Sequence, residues 1–279
     1  MGKNFITIDD FSADEIRHIF DLAGNSAQLK FSAGTTLTAC YSFEGNSLRT
    51  RATFVKALSD LNITPIGIPN FLKTEEGVEH LAGYMDSWFD IYILRDRNHA
   101  RLASFAESTQ KPTINAMTSE AHPCEVLADV YSVWKEKGDL RNLKYCLLGP
   151  PTNVLKSWQR IGKVLGLNLI HVLPQQYKSE GHQDKTFTSS KEDGLKDADV
   201  IMTDAWPQDF DDRSFQLKLD DLEVAKSDAW VIPCPPFSVQ NEIHQDIISS
   251  EYFAGYGQKK YLYHVQKALI YYLLSKSIA

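Results

Sequence analysis

The stretch Phe43-Glu44-Gly45-Asn46-Ser47-Leu48-Arg49-Thr50-Arg51 brings two hydroxyls and two guanidinium groups close together around a Gly-Asn-Ser turn. Leu37 to Phe43 before it is rich in β-branched, aromatic and small apolar residues, as a buried strand is. After it, Ala52, Phe54, Val55, Ala57, Leu58 and Leu61 recur at helical spacing. Ser47, Arg49 and Thr50 therefore fall in a helix's first turn, where unpaired backbone N–H groups and the positive end of the helix dipole attract an anion. An arginine there forks onto phosphate oxygens. An ordinary N-cap followed by surface arginines fits the same spacing.

A second constellation narrows the choice. Arg95 ends the apolar run Phe89 to Leu94, and His122-Pro123-Cys124-Glu125 opens another helix. The two segments together resemble the transcarbamylase family of aspartate and ornithine carbamoyltransferases, whose members carry Ser-Thr-Arg-Thr-Arg and then His-Pro-Cys/Thr-Gln. The form Ser47-Leu48-Arg49-Thr50-Arg51 is similar to the N-acylornithine branch, in which an apolar residue also replaces the first Thr. Gly149 with Asn153, Asp204-Ala205-Trp206, Pro233-Cys234-Pro235-Pro236 and His264-Val265-Gln266-Lys267-Ala268 fall in the family's order, so the resemblance spans nearly the whole chain.

The resemblance implies transfer of a carbamoyl group from carbamoyl phosphate to a primary amine, an ornithine-like amino acid or a diamine, with no cofactor and no metal. It implies phosphate contacts from Ser47, the Leu48 backbone, Arg49 and Thr50, and donation by Arg95 and His122 to the carbonyl oxygen that becomes an oxyanion. Arg49, Arg95 and His122 are thus the expected catalytic residues, with Glu125 and the Pro235 carbonyl near the carbamoyl amino group. On the acceptor side, Asn153 and Asp204 correspond to positions that hold an amino acid's polar ends, and Cys234 lies beside the reacting amine; a buried structural thiol is the other reading of Cys234. Arg51 is left between a second phosphate contact, a subunit contact and a surface role.

Several positions depart from the family pattern. Glu125 replaces the usual Gln and adds negative charge near a dianionic substrate; Leu262 stands where ornithine enzymes have Arg; and the Lys73-Thr74-Glu75-Glu76 segment only loosely matches a loop that enters a neighbouring subunit's site. Asp204-Ala205-Trp206 lacks the Ser-Met-Gly that follows in ornithine enzymes, and Leu155 with Pro207-Gln208-Asp209-Phe210 replaces the aspartate enzymes' basic groups, which disfavours a dicarboxylate acceptor. These departures also motivate an alternative, an inactive relative that binds a phosphorylated metabolite or a partner protein.

The elements that must position these residues alternate. Strands over 37–43, 63–68, 90–94 and 112–115 are separated by helices over 48–61, 75–86, 98–108 and 123–136, after a capped amphipathic helix that follows Asp9-Asp10-Phe11-Ser12. The alternation restarts after Lys135–Arg141, with strands near 144–148, 168–173, 199–203 and 229–232, helices near 153–166 and 190–197, and a polar loop from Lys178 to Lys191. This predicts an α/β fold of two doubly wound parallel-sheet domains. The expected division is 1–135 for carbamoyl phosphate and 136–258 for the amine, with 259–279 an amphipathic C-terminal helix that, by resemblance, packs back on the first domain.

A chain of 279 residues is long enough for two cores. With 43% hydrophobic and 23% charged residues it is not disordered, and no apolar run approaches the ~20 residues of a membrane span. A net charge of −7 with scattered basic residues excludes a nucleic-acid scaffold. The polar, acidic start argues against a secretory signal, so a cytoplasmic location and four reduced cysteines are expected; the resemblance implies a homotrimer. His80, His171, His182 and His244 show no metal-ligand spacing, and Gly149-Pro150-Pro151 is not a dinucleotide fingerprint.

Overall fold

The structure is a computed structural model that describes residues 3–32, 34, 36–178 and 186–278. The chain forms two compact units, Met1–Tyr131 with Lys260–Ala279, and Ser132–Lys259.

In unit 1, β1 (Leu37–Phe43), β2 (Ile63–Gly67), β3 (Ile91–Arg95) and β4 (Thr113–Met117) form an all-parallel sheet in the order β2-β1-β3-β4. The connecting helices are α2 (Leu48–Asp60), α3 (Val78–Met85) and α4 (His99–Ser108), with α1 (Ala13–Gly24) before them and α5 (Pro123–Lys137) after. β1, β3 and β4 read as near-continuous buried runs, as parallel strands covered on both faces do, Ile91 to Leu94 being buried throughout, whereas the edge strand β2 is mostly exposed. Ser12 and Glu15 cap α1 reciprocally, Ser12 Oγ accepting from Glu15 N at 3.3 Å and Glu15 Oε2 from Ser12 N at 2.9 Å. On one side of the sheet Phe71, Tyr92 and Phe105 interlock, with ring centroids 4.9 to 5.7 Å apart.

Unit 2 repeats the plan. Its sheet runs β7-β6-β5-β8-β9, all parallel, from β5 (Lys144–Leu148), β6 (Asn168–Val172), β7 (Phe187–Thr188), β8 (Val200–Thr203) and β9 (Trp230–Pro233). Helices α6 (Asn153–Leu165) and α7 (Lys191–Leu195) connect strands, and the short α8 (Gln245–Ile248) and α9 (Gly255–Gln258) follow β9. Cys146, Leu148, Ile201 and Val231 pack with Phe210 and Phe215 in a buried cluster.

Three elements differ from the sequence expectation. The helix expected over 75–86 begins only at Val78, because the Thr74 hydroxyl takes the Glu76 N–H at 3.3 Å, a local bond that competes with helix formation. Within the expected 178–191 loop, Phe187 and Thr188 add an edge strand to β6; residues 179–185 lie outside the described residues. The C-terminal helix α10 (Leu262–Ile278) packs on α1 and α2 of unit 1 as expected, but Val265 to Ile270 are all buried rather than one face only. Tyr263 donates to Asp60 at the end of α2, and Ser26 bonds His264 Nδ1 at 2.6 Å. Among the described residues no helix is long and apolar enough to cross a membrane.

Candidate active site

In open parallel sheets the ligand crevice lies beyond the strands' carboxyl ends, where the strand order reverses direction. In unit 1 that reversal falls between β1 and β3, and in unit 2 between β5 and β8. The turn carrying Ser47 leaves β1 and Arg95 ends β3; Asn153 follows β5 and Asp204 follows β8. Ser47, Arg95, Asn153 and Asp204 thus lie at the two switch points, with His122 and Glu125 one strand away after β4 and Cys234 and Pro235 one strand away after β9.

At the first, Glu44 N donates to Arg95 O at 3.0 Å, tying the two strand ends together. Gly45 has φ of 69° and Ser47 φ of 44°, so the chain doubles back through two left-handed residues before α2 starts. For a serine this backbone costs about 1 kcal/mol. Ser47 Oγ donates to Glu44 O at 3.0 Å, and Arg51 donates to Gly45 O at 3.1 Å while lying over the Phe43 ring at 5.8 Å. Arg51, undecided in sequence, is therefore a brace for the turn.

Because the Ser47 side chain makes no capping bond, the first-turn N–H groups of α2 are left for a ligand. Arg49 and Leu48 are exposed, Leu48 at 74%, whereas Thr50 is buried.

Sequence reasoning missed Glu44. Its carboxylate accepts from Lys73 Nζ at 2.8 Å and Arg97 N at 2.8 Å, and these bonds hold it below the usual carboxylate range. Lys73 pairs within its own chain, and its loop is tied down by Phe71 N to Ser42 Oγ at 3.2 Å and Arg101 to Leu72 O at 3.0 Å. Glu44, Lys73, Arg95 and Asp96 line one cleft.

His122 and Glu125 sit at the start of α5, both buried. The preceding turn is closed by Thr118 N to Ala121 O at 2.8 Å, and Cys124 Sγ donates to Asn115 O at 3.4 Å. Burial, with Glu125 nearby, pushes the Cys124 thiol well up, so it is a packing residue rather than a nucleophile. Leu262 is buried at the start of α10.

At the second switch point Gly149, with φ of 120°, begins the turn into α6. His171 holds it. Its Nε2 meets Gly149 O at 2.8 Å and its Nδ1 meets Gln159 Nε2 at 2.7 Å; a carbonyl only accepts, so Nε2 bears the proton and Nδ1 accepts from the amide. No sequence spacing betrays this role.

Thr152 caps α6, its Oγ1 accepting from Leu155 N at 3.3 Å. Asp204 keeps part of its surface open, yet dense surroundings raise its pKa to about 6. Burial is the main cause; hydrogen bonds from Thr152, Ala205 N and Cys234 oppose it, and the neighbouring Glu242 adds to it. Glu242, also missed, is buried and bridges two loops, its Oε1 accepting from Trp206 N at 2.8 Å and its Oε2 from Ser238 N at 2.6 Å. Cys234 is buried beside Asp204, and Pro235, expected with the donor-binding residues, belongs to unit 2.

Known proteins share this architecture and sequence. The family model described as aspartate/ornithine carbamoyltransferase, carbamoyl-P binding domain, matches residues 3–135, and that of the family's Asp/Orn binding domain matches 141–273. Ornithine carbamoyltransferase from Methanococcus vannielii is 30% identical over 260 residues, covering 83% of this chain and 85% of its own. That from Methylobacillus flagellatus is 27% identical over 299 residues, covering 98% and 97%. The crystal structure of ornithine carbamoyltransferase from Pyrococcus furiosus superposes with a TM-score of 0.89 at 24% identity, covering 98% of this chain and 97% of its own.

Proposed function

The chain belongs to the aspartate/ornithine carbamoyltransferase family, and from that premise we propose that it moves the carbamoyl group of carbamoyl phosphate to a primary amine of the ornithine or diamine class. The amine nitrogen attacks the carbonyl carbon, the carbon–oxygen bond to phosphate breaks, the nitrogen's proton leaves, and a ureido product and inorganic phosphate result. An acyl phosphate is already activated, so the protein's task is alignment and charge stabilisation.

In this reading residues 1–135 bind carbamoyl phosphate, with Ser47, Leu48 N, Arg49 and Thr50 on the phosphate. Arg95 and His122 face the growing oxyanion, and Glu125 and the Pro235 carbonyl accept from the carbamoyl amino group. Residues 136–258 bind the amine through Asn153, Asp204 and Cys234. The observation that carries the reading is the pair of switch points, one presenting a helix N-terminus with Arg49 and the other a carboxylate, Asp204. A cytoplasmic homotrimer completes it; exposed Leu48, Tyr84 and Trp88 in unit 1 are suited to subunit contacts.

The test is a mass-spectrometric search for carbamoylated products, with carbamoyl phosphate and pooled amines beside an Arg49→Ala control. A ureido product lost in the control is expected. Saturable carbamoyl phosphate binding with no product from any amine would sink the transfer reading.

A further inference from the structure

The turn that opens α6 is short of hydrogen bonds of its own. Two of its residues, Pro150 and Pro151, have no N–H with which to close it. Thr152 N reaches Pro150 O at 2.8 Å, and the sheet draws Gly149 N to Val172 O at 3.1 Å. Gly149 itself has little torsional preference, yet it is held at φ of 120°.

A side chain supplies what the turn lacks. The Gly149 carbonyl accepts from His171 Nε2 at 2.8 Å, and His171 Nδ1 accepts from Gln159 Nε2 at 2.7 Å. One imidazole therefore ties the start of the turn to a point roughly 9 Å along the α6 axis from Asn153. The ring is firmly anchored: His171 is 0% exposed on β6, between β5 and β7. Its N–H donates to Thr186 O at 2.7 Å, and its ring centroid lies 6.0 Å from that of Phe187.

What this clamp holds is the acceptor side of the site. The Thr152 hydroxyl accepts from Leu155 N at 3.3 Å and donates to the Asp204 carboxylate, and Asn153 is the next residue. Because two prolines stiffen the link, a shift of the Gly149 carbonyl would carry Thr152 and Asn153 with it.

We propose that His171 is a positioning residue for the acceptor amine: by holding the Gly149 carbonyl and Gln159 together, it fixes where Thr152 and Asn153 stand relative to Asp204. The proposal rests on the carbamoyl-transfer reading and adds to it a residue that acts from behind the site, through other groups. Geometry of this kind matters because a misplacement of about 1 Å can cost on the order of 100-fold in rate.

The experiment compares the full-length wild type with His171→Leu and His171→Gln. Leucine fills the space without bonding, whereas the glutamine amide brings an N–H to about the place of Nε2. Steady-state kinetics use carbamoyl phosphate with ornithine, 1,4-diaminobutane and the other pooled amines, and inorganic phosphate binding is read by calorimetry without amine. His171→Leu is expected to raise the amine's KM about tenfold and to leave phosphate affinity within about twofold, and His171→Gln to recover most of the loss. A role confined to stability would lower the melting temperature of His171→Leu without moving the amine's KM, and that result overturns the proposal. An equal loss in both affinities, or no recovery in His171→Gln, overturns it as well. Should His171→Leu fail to fold, Gln159→Leu takes its place, keeping the ring and removing one of its bonds. The amine's KM should then rise about threefold, and an unchanged KM counts against the proposal. No ureido product from the wild type with any amine sinks the transfer reading and the proposal together; product with an unmoved KM in the variants sinks the proposal alone.

Discussion

At the carboxyl edge of the unit 1 sheet, a strained turn opens α2 with no side-chain cap and with Arg49 exposed in its first turn, while at the equivalent edge of unit 2 Thr152 caps α6 and the carboxylates of Asp204 and Glu242 accept from loop N–H groups. Each edge also contains a glutamate that accepts two bonds. Glu44 is paired with Lys73 at 2.8 Å. Glu242 accepts only from backbone N–H groups, those of Trp206 and Ser238. One topology thus carries two edges whose glutamates are bonded differently, because the difference lies in the loops after the strands and not in the sheet.

The largest effect that tests this contrast should come from Arg49→Ala. Losing a charged donor from a preorganised anion site costs on the order of 1,000-fold, expected here in kcat/KM for carbamoyl phosphate. The side chain is exposed, so thermal stability should move little, by about 0.5 kcal/mol or less. An equally large effect on the amine's KM would show that the division between the two edges is wrong. Asp204→Asn is its counterpart, expected to weaken the amine by roughly 100-fold through loss of a charged partner while carbamoyl phosphate binding, measured in the amine's absence, stays unchanged.

The two edges also differ in how far the sequence revealed them. Strand-turn-helix patterning and the spacing of Ser47, Arg49 and Thr50 are local, and the structure places them where that patterning puts them. The unit 2 sheet was legible in the same way, from its apolar strands. What could not be read were the bonds between distant segments: Glu44 to Lys73, Glu242 to Trp206, and His171 to Gly149. His171 sits on a strand with no motif around it, and its function depends on a carbonyl brought near only by strand pairing. The buried flanks of α10 escaped for a similar reason, since the partners that cover them come from α1 and α2.

Asp204 gives the contrast a pH signature. Its carboxyl titrates near 6 in the folded chain against 3.8 ordinarily, so the folded state holds the proton longer than the unfolded one. For a raised pKa, the stability contribution is fully present below 3.8 and is lost as pH rises through about 6. Allowing for partial solvent access, the loss is on the order of 1–2 kcal/mol. Thermal shift of wild type against Asp204→Asn should show the variant gaining ground between these pH values, and a difference that is flat with pH would remove Asp204 as the buried charge. Gly149→Ala should cost a similar ~1–2 kcal/mol, because alanine does not tolerate φ of 120°; calorimetric unfolding of the variant checks it.

The smallest expected effect separates the two glutamates. If Lys73 exists to cancel Glu44, then Lys73→Met exposes a carboxylate beside the phosphate turn and should weaken carbamoyl phosphate binding about three- to tenfold, the scale of a partly exposed ion pair. Glu44→Gln removes charge and pair together, so its effect should be smaller, and adding it to Lys73→Met should recover most of the lost affinity. Calorimetric titration of all four proteins yields the coupling directly. Independent, additive losses would mean that Lys73 contacts the phosphate in its own right. Recovery in the double variant would mean that Lys73 serves the anion site by cancelling Glu44, a device that the backbone-bonded Glu242 of unit 2 lacks.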